Sequence, residues 1–502
     1  MLKSIGSNWI ITAATLVAAY VLTPFTVHRL GDAGYGTWNL INSITGYLAL
    51  LILGVPMASV RYFAQHIAEG DISELNRAIG SCTAMYLGLG AAALIIGAAL
   101  YVFFTVTYQI PPTLHVDAHR AFALTVLYIA LGFVGQLPEG VLTAHEDFVP
   151  RNVVRFAGIV LRFGLVFGVL TVWPTLTALA LVQLVCLAFD FVLCVWLIKR
   201  RHPGARISLA DFDWTMVRRI LSFSLYVLLL QAGLRLSFQT DSLVIGAFLN
   251  VSAIAFFAVG NSFVGYLMDF ITSIGAVVMP TARRLKTQGR DAELRGIFLK
   301  WSKISLSLTL MAGLFLMVLG PRFIGWWIDP AFERPAGQVL QILMLSCFVF
   351  LPVRAASLSI LMGLGKPGVP AIGLLIAGLL NVGLSIALAR PLGLAGVALG
   401  TAIPNVLYAA AVLVQACREL ETPLADFLRY VVPRVTLGAV PALALLLWFK
   451  LGLDVRTFAG LAGAGVSMVL LFGLTSVFFV YRNDPYVDLT GYLSRLRGKE
   501  RE

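Results

Sequence analysis

Seven charged side chains of this 502-residue sequence fall within apolar stretches, where a charge is costly and its position therefore informative. They are Arg162, Arg235 and Arg354, the aspartates Asp190, Asp241 and Asp269, and Glu139 near the end of its stretch. At the middle of a membrane helix an Arg or Asp costs about 2.5–3.5 kcal/mol. Three lipid-facing arginines would together cost roughly 8–10 kcal/mol, comparable to the stability of a whole domain. They are expected to face protein or a wet cavity. A guanidinium stays charged and donates two parallel hydrogen bonds, which suits an anionic head group such as a diphosphate. The carboxylates Asp241 and Asp269 suit a cation or a proton. Gln231, Arg235 and Gln239 form one polar stripe at i, i+4, i+8, and Asn261, Gly265 and Asp269 form another. Such stripes read as cavity lining. The competing reading for each charge is an ion pair between helices that fixes packing.

The elements that must position these residues follow from composition. Hydrophobic residues make up 59% of the chain and charged residues 12%, against about 25% charged in soluble domains. Mean hydropathy is +0.88. A bilayer removes the need for a polar surface, so the chain reads as an all-α polytopic membrane protein. A soluble enzyme, a nucleic-acid binder and a disordered scaffold are excluded. About 14 apolar segments can be drawn between residues 8 and 480, including one near 220–248. Helices are expected because lipid cannot satisfy open backbone groups. The N-terminus reads as the first helix, not a removed signal. Leu489, Tyr492, Leu493 and Leu496, among Arg495, Arg497 and Lys499, allow a short amphipathic helix in the tail.

The net charge of +12 would suggest nucleic acid in a soluble protein; here it reads as loop bias. Of 37 Lys and Arg, 27 fall on the side of the two termini and the even-numbered connections, including Lys303 in the connection between segments 8 and 9. Seven fall on the other side. This places both termini in the cytoplasm. The five cysteines lack metal or disulfide spacing, and the six histidines lie in loops or at helix ends as solvated side chains.

A repeat sets the architecture. Gly70-x-x-x-Glu74-Leu75 meets Gly289-x-x-x-Glu293-Leu294 at an offset of 219. Leu142 and Leu361, and Leu161-Arg162-x-Gly164 and Leu380-Asn381-x-Gly383, match at the same offset, as do the connections that begin at Leu30 and Leu249. An offset of six helices gives two parallel, pseudo-symmetric six-helix lobes, an arrangement used for alternating access. The expected organisation is an N-lobe over 1–200, a C-lobe over 201–418, and two further helices with a tail over 419–502.

Thr23-Pro24-Phe25, the run Leu30-Gly31-Asp32-Ala33-Gly34-Tyr35-Gly36-Thr37-Trp38, the stretch from Gly54 to Phe63, and Asp241-Ser242-Leu243-Val244-Ile245-Gly246 resemble the Wzx-like oligosaccharide flippases. These belong to the multidrug/oligosaccharidyl-lipid/polysaccharide exporter superfamily. The resemblance implies two six-helix lobes in a V with two extra helices, in a bacterial inner membrane. It implies transfer of polyprenyl-diphosphate-linked oligosaccharide from the inner to the outer leaflet, alongside a polymerase and other assembly proteins, with no catalysis and no resident cofactor. Arg61 matches an arginine that helps hold the diphosphate in the related lipid II flippase branch. Arg162, Arg235 and Arg354 are the other expected head-group contacts. Asp241, Asn381, Val397 and Thr401 fall at the places of that branch's sodium site, and Ser385 stands where a second Asp is found. Sodium and proton coupling are both open, with Asp269 a further candidate. A cation-coupled multidrug antiporter, which needs an acidic cavity, and a membrane polymerase or ligase are the alternatives.

Overall fold

A computed structural model describes residues 2–52, 54–222 and 225–487. Among these, every regular element is helical. In chain order the α-helices are α1 (Leu2–Gly46), α2 (Val55–Glu69), α3 (Ile72–Thr107), α4 (His115–Ala144), α5 (Phe148–Val172), α6 (Leu176–Arg201), α7 (Trp214–Ser222), α8 (Leu225–Phe238), α9 (Thr240–Phe248) and α10 (Val251–Thr272). They continue as α11 (Gly275–Thr287), α12 (Asp291–Val318), α13 (Gly320–Trp327), α14 (Pro330–Glu333), α15 (Pro335–Val353), α16 (Ser359–Gly363), α17 (Gly368–Glu419), α18 (Leu424–Leu451) and α19 (Phe458–Thr475). The amphipathic helix expected in the tail lies outside the described residues.

Among the described residues, eleven helical runs are long and apolar enough to cross a membrane. The difference from fourteen separate segments has a physical cause. Helices α1 and α17 each carry two segments. Gly31 (φ 70°, ψ 172°) and Gly393 (φ 59°, ψ −138°) leave helical space inside them, ending one rod and starting the next. These are conformations a Cβ disfavours. Within the segment near 220–248 the described helix is interrupted between α8 and α9. That break falls at Gln239, a polar side chain between Phe238 and Thr240. Large apolar side chains lie exposed along the long helices, among them Ile95 (74%) and Phe478 (67%), as lipid-facing surfaces require.

The chain divides into two compact units, Met1–Arg235 with Ser242–Ala255, and Leu236–Asp241 with Phe256–Glu502. In the first, Phe63, Tyr86, Phe133 and Ile220 centre a core drawn from α2, α3, α4 and α7. The carboxylate of Asp117, in the first turn of α4, accepts the Leu176 and Thr177 amides at 2.7 and 2.9 Å. It thereby satisfies orphan donors at the start of α6. Gly36 lets the second rod of α1 meet the Val251 carbonyl, where a Cβ would collide.

The repeat reappears as turn geometry inside each unit. Asp71 N–H donates to His66 O and Arg290 N–H to Leu285 O, with Gly70 (φ 71°) and Gly289 (φ 68°) both left-handed. Asp147 N–H donates to Leu142 O and Lys366 N–H to Leu361 O. Glu146 (φ 60°) takes the left-handed place that glycine fills at 365 (φ 73°).

Two of the histidines are not simply solvated. His145 and His202 stack at 3.7 Å between ring centroids. His202 Nε2 lies 2.7 Å from Asp147, whose carboxylate also accepts two bonds from Arg201. Burial pushes the Asp147 carboxyl up, but these partners outweigh it and hold it below the usual value of 3.8.

Candidate functional site

Arg162 lines a cavity of about 270 Å³ inside the first unit. Three stretches of helix present faces to it. On α5 the face is Ile159, Arg162 and Val166, and on α6 it is Leu179, Val182 and Gln183. Both sets have i, i+3 or i+4 spacing. On α1 it runs from Thr15 through Thr23 and Thr26, and resumes beyond Gly31 with Tyr35 and Trp38. The cavity therefore holds a guanidinium, an amide, several hydroxyls and two aromatic rings with polar tips. Gln183 Oε1 is buried there without a hydrogen-bond partner. Gln183 is a lone amide in an apolar segment, a signal for this cavity that the sequence carries.

The other arginines occupy different settings. Arg61 is exposed on α2. Arg235 sits in the last turn of α8, half-buried, and its carbonyl accepts the Tyr47 hydroxyl at 3.5 Å. Gln239 lies beyond the end of α8, so the polar stripe outruns its helix. In the second unit Arg354 opens a π-turn (Arg354–Leu358), a feature frequent at functional sites. Its guanidinium lies 5.6 Å from the Phe350 ring. Arg354 Nη1 and the Tyr408 hydroxyl are both buried without hydrogen-bond partners. Asp269 is exposed on α10, and a Cβ at neighbouring Gly265 would meet open space. Among the aspartates, Asp190 presses a carboxylate against Gly158, while Glu139 pairs with Arg155 at 3.6 Å.

Asp241, Asn381 and Thr401 come together in the second unit, at 2%, 1% and 2% exposure. The Thr401 hydroxyl lies 2.9 Å from both Asp241 oxygens and accepts from Asn381 Nδ2 at 2.8 Å. Asn381 Nδ2 also reaches the Ser237 carbonyl at 3.3 Å. The Val397 carbonyl accepts from Thr401 and Ser385, each at 3.4 Å. Asn381 Oδ1 and Ser237 Oγ are buried without partners. The donor set is oxygen throughout with a single carboxylate, the chemistry of a hard, low-charge cation. Nothing in the spacing of Ser237 distinguishes it in the sequence from other small polar residues.

The two rods of α17 create this site by close approach. A Cβ on Gly400 would collide with the Ser385 side chain and lie 2.7 Å from its backbone nitrogen. Backbone cannot rotate away, so Gly400→Ala is expected to part the rods at a cost of about 1–3 kcal/mol. A lowered melting temperature with unchanged expression is the outcome to measure; an unaltered melting temperature would refute this packing.

The profile of the family described as "Polysaccharide biosynthesis protein" matches residues 1–286. The chain belongs to the polysaccharide biosynthesis protein family. Its match takes in all of the Arg162 cavity and reaches Asp241. A relative of this family member, the uncharacterized membrane protein EpsK of Bacillus subtilis (strain 168), is 22% identical over 394 residues, covering 77% of each chain. Among solved structures, the lipid II flippase MurJ in an inward closed conformation aligns with TM-score 0.69 at 15% identity. That alignment covers 94% of this chain and 99% of MurJ. An inward-facing multidrug resistance MATE family transporter of the MOP superfamily aligns with TM-score 0.68 at 16% identity, covering 80% and 94%. The polysaccharide biosynthesis protein family member thus has the MATE- and MurJ-like membrane fold.

Proposed function

We propose that the chain is a flippase that carries polyprenyl-diphosphate-linked oligosaccharide from the cytoplasmic to the outer leaflet of a bacterial inner membrane. The observation that carries this reading is the Arg162 cavity, which places a permanent cation among hydroxyls and aromatic rings. Arginine binds diphosphate through paired charge-assisted bonds. Thr23, Gln183, Tyr35 and Trp38 offer polar and flat apolar surface to a sugar. Arg61, Arg235 and Arg354 are the further head-group contacts of the proposal. Membership of a polysaccharide biosynthesis family and the likeness to a lipid II flippase support the same class of cargo. The isoprenoid tail stays in lipid while the head group crosses by alternating access. Polymerase and other assembly proteins would receive the product.

Asp241, with Asn381 Oδ1, Thr401 Oγ1, Ser237 Oγ and the Val397 carbonyl, would hold the coupling ion. A bound sodium ion or proton would neutralise Asp241 and offset its burial. Ser385 supplies a hydroxyl where a second carboxylate would favour sodium, and Asp269, exposed on α10, is the further candidate acid of the proposal.

The test is reconstitution of the full chain in vesicles with a fluorescent polyprenyl-diphosphate oligosaccharide, scored by access of a membrane-impermeant quencher. Translocation is expected. Absence of translocation together with efflux of organic cations would overturn the reading in favour of an antiporter. The D241N variant is expected to be slow and insensitive both to replacement of sodium by choline and to collapse of the proton gradient. A D241N rate that still responds fully to either gradient would remove Asp241 from coupling.

A further inference from the structure

Outside the sites above, a groove of about 450 Å³ runs along the basic end of α6 in the first unit. Phe191, Val195 and Lys199 lie on one face of α6 at i, i+4, i+8, with Ile198 beside them. The opposite wall is the segment after α6, with Ala205, Arg206 and Ile207. The walls are apolar, and the two cations are exposed at the rim. Neither Lys199 nor Arg206 has a carboxylate within 4.0 Å among the described residues.

The segment that forms the wall is held in place by its backbone. Asn76 of α3 donates to the Gly204 carbonyl at 3.0 Å and accepts the Arg206 N–H at 2.8 Å. Further along, Ser81 accepts the Asp213 N–H at 2.9 Å. The Ser208 carbonyl and Asp211 close over Gly80, where a Cβ would lie 2.9 Å from that carbonyl. The Arg206 side chain is left for another partner. The same segment exposes Leu209 (52%), Phe212 (47%) and Trp214 (63%). On α6, Arg200 stacks on the half-exposed Trp196 at 5.3 Å. Exposed aromatic rings beside cations mark the level of lipid head groups.

We propose that this groove binds one anionic phospholipid, with an acyl chain along Phe191, Val195, Ile198 and Ile207 and the phosphate between Lys199 and Arg206. Charge complementarity selects the occupant: an apolar trough ending in two unneutralised cations fits a lipid with a net negative head group. A zwitterionic head would bring an ammonium against those cations. The groove lies on the Lys/Arg-rich side of the chain, which faces the leaflet rich in anionic lipid. The bound lipid would brace the end of α6 against the segment that ties it to α3.

The test uses the purified full chain in vesicles of phosphatidylcholine alone or with phosphatidylglycerol, reading retained lipid by native mass spectrometry. The wild type is expected to retain one phosphatidylglycerol with at least about tenfold preference over phosphatidylcholine. The K199S/R206S variant should lose that preference while keeping its melting temperature in phosphatidylcholine, because both side chains are exposed. Val195→Trp fills the trough without touching the charges and should also lose the retained lipid. Arg218→Ser with Arg219→Ser, basic residues of α7 that do not line the groove, should change nothing. Retention by the Val195→Trp variant would mean diffuse charge attraction and overturn the groove. Equal preference in the K199S/R206S variant, or displacement of phosphatidylglycerol by an equimolar polyprenyl phosphate, would overturn the assignment as well. None of these readouts requires transport.

Discussion

Arg162→Ala is expected to lower oligosaccharide translocation about ten- to a hundredfold while leaving the protein folded. The size follows from what is removed. A hydrogen bond to a charged group contributes about 1.5–3 kcal/mol, equivalent to roughly that range in rate or affinity. The folded state is spared because Arg162 is exposed to its cavity and has no hydrogen bond or ion pair to lose among the described residues. Arg162→Lys separates two meanings of the residue. Lysine keeps the charge but loses the planar fork, so a diphosphate held by paired bonds should leave the lysine variant well below wild type. Full activity in the lysine variant would mean that only local positive potential matters. Full activity in the alanine variant would remove the cavity from the transport path. Gln183→Leu should show a smaller loss, because a neutral amide contributes about 0.5–1.5 kcal/mol. The measurement for all three is the initial rate of quencher protection at fixed protein density.

Much of the scaffold could be read from periodicity and spacing, because bilayer physics leaves so few choices. Long apolar runs must be helices, and the offset of 219 fell on residues whose turns share hydrogen-bond partners in both halves, such as His66 and Leu285. The glycines of the run from Leu30 to Trp38 also carried real signal. Gly31 takes a backbone conformation that a side chain disfavours, and Gly36 faces a carbonyl at contact distance. Breaks within a segment were harder to see. The apolar content of 225–238 and 240–248 reads as one span, and no glycine or proline marks the interruption at Gln239. The grouping of Asp241 with Asn381 and Thr401 came from resemblance, not from spacing, since the three lie 140 residues or more apart or on separate rods of α17. The cavity around Arg162 needed tertiary structure, because its walls come from three helices whose facing rows are not marked by any shared motif.

Lys303 shows where counting charges misleads, and it yields the largest expected effect on stability. By sequence it belongs to the basic connection between segments 8 and 9 and merely sets orientation. In the structure it lies inside α12, with its side chain 1% exposed, and forms an ion pair with Asp484, whose side chain is fully buried. The Lys303 ammonium donates to Asp484 Oδ2 at 2.5 Å and lies 4.6 Å from the Tyr430 ring centre and 5.5 Å from that of Tyr481. Asp484 Oδ1 accepts the Tyr430 hydroxyl at 2.6 Å and the Tyr486 and Val487 amides at 3.0 and 3.1 Å. The Tyr481 hydroxyl is 2.7 Å from Ser307 Oγ. Through this network the segment after α19 is tied to α12 and α18. Removing one partner strands a buried charge, so Lys303→Met or Asp484→Leu is expected to cost about 3–5 kcal/mol. The double variant K303M/D484L should cost less than either single change, because no unpaired charge remains. Burial pushes the Asp484 carboxyl up, but its lysine, phenol and amide donors outweigh this and hold it below the usual 3.8. A carboxyl with a depressed folded value stabilises above its unfolded value and loses that contribution as pH falls through the folded one. The wild type should therefore lose stability below about pH 3.8 in steps that the K303M/D484L variant lacks at this site. Thermal unfolding in detergent, followed across pH for the wild type, both singles and the double, gives the coupling directly. Strictly additive losses would show that Lys303 and Asp484 act independently and that the tie after α19 is held by packing alone.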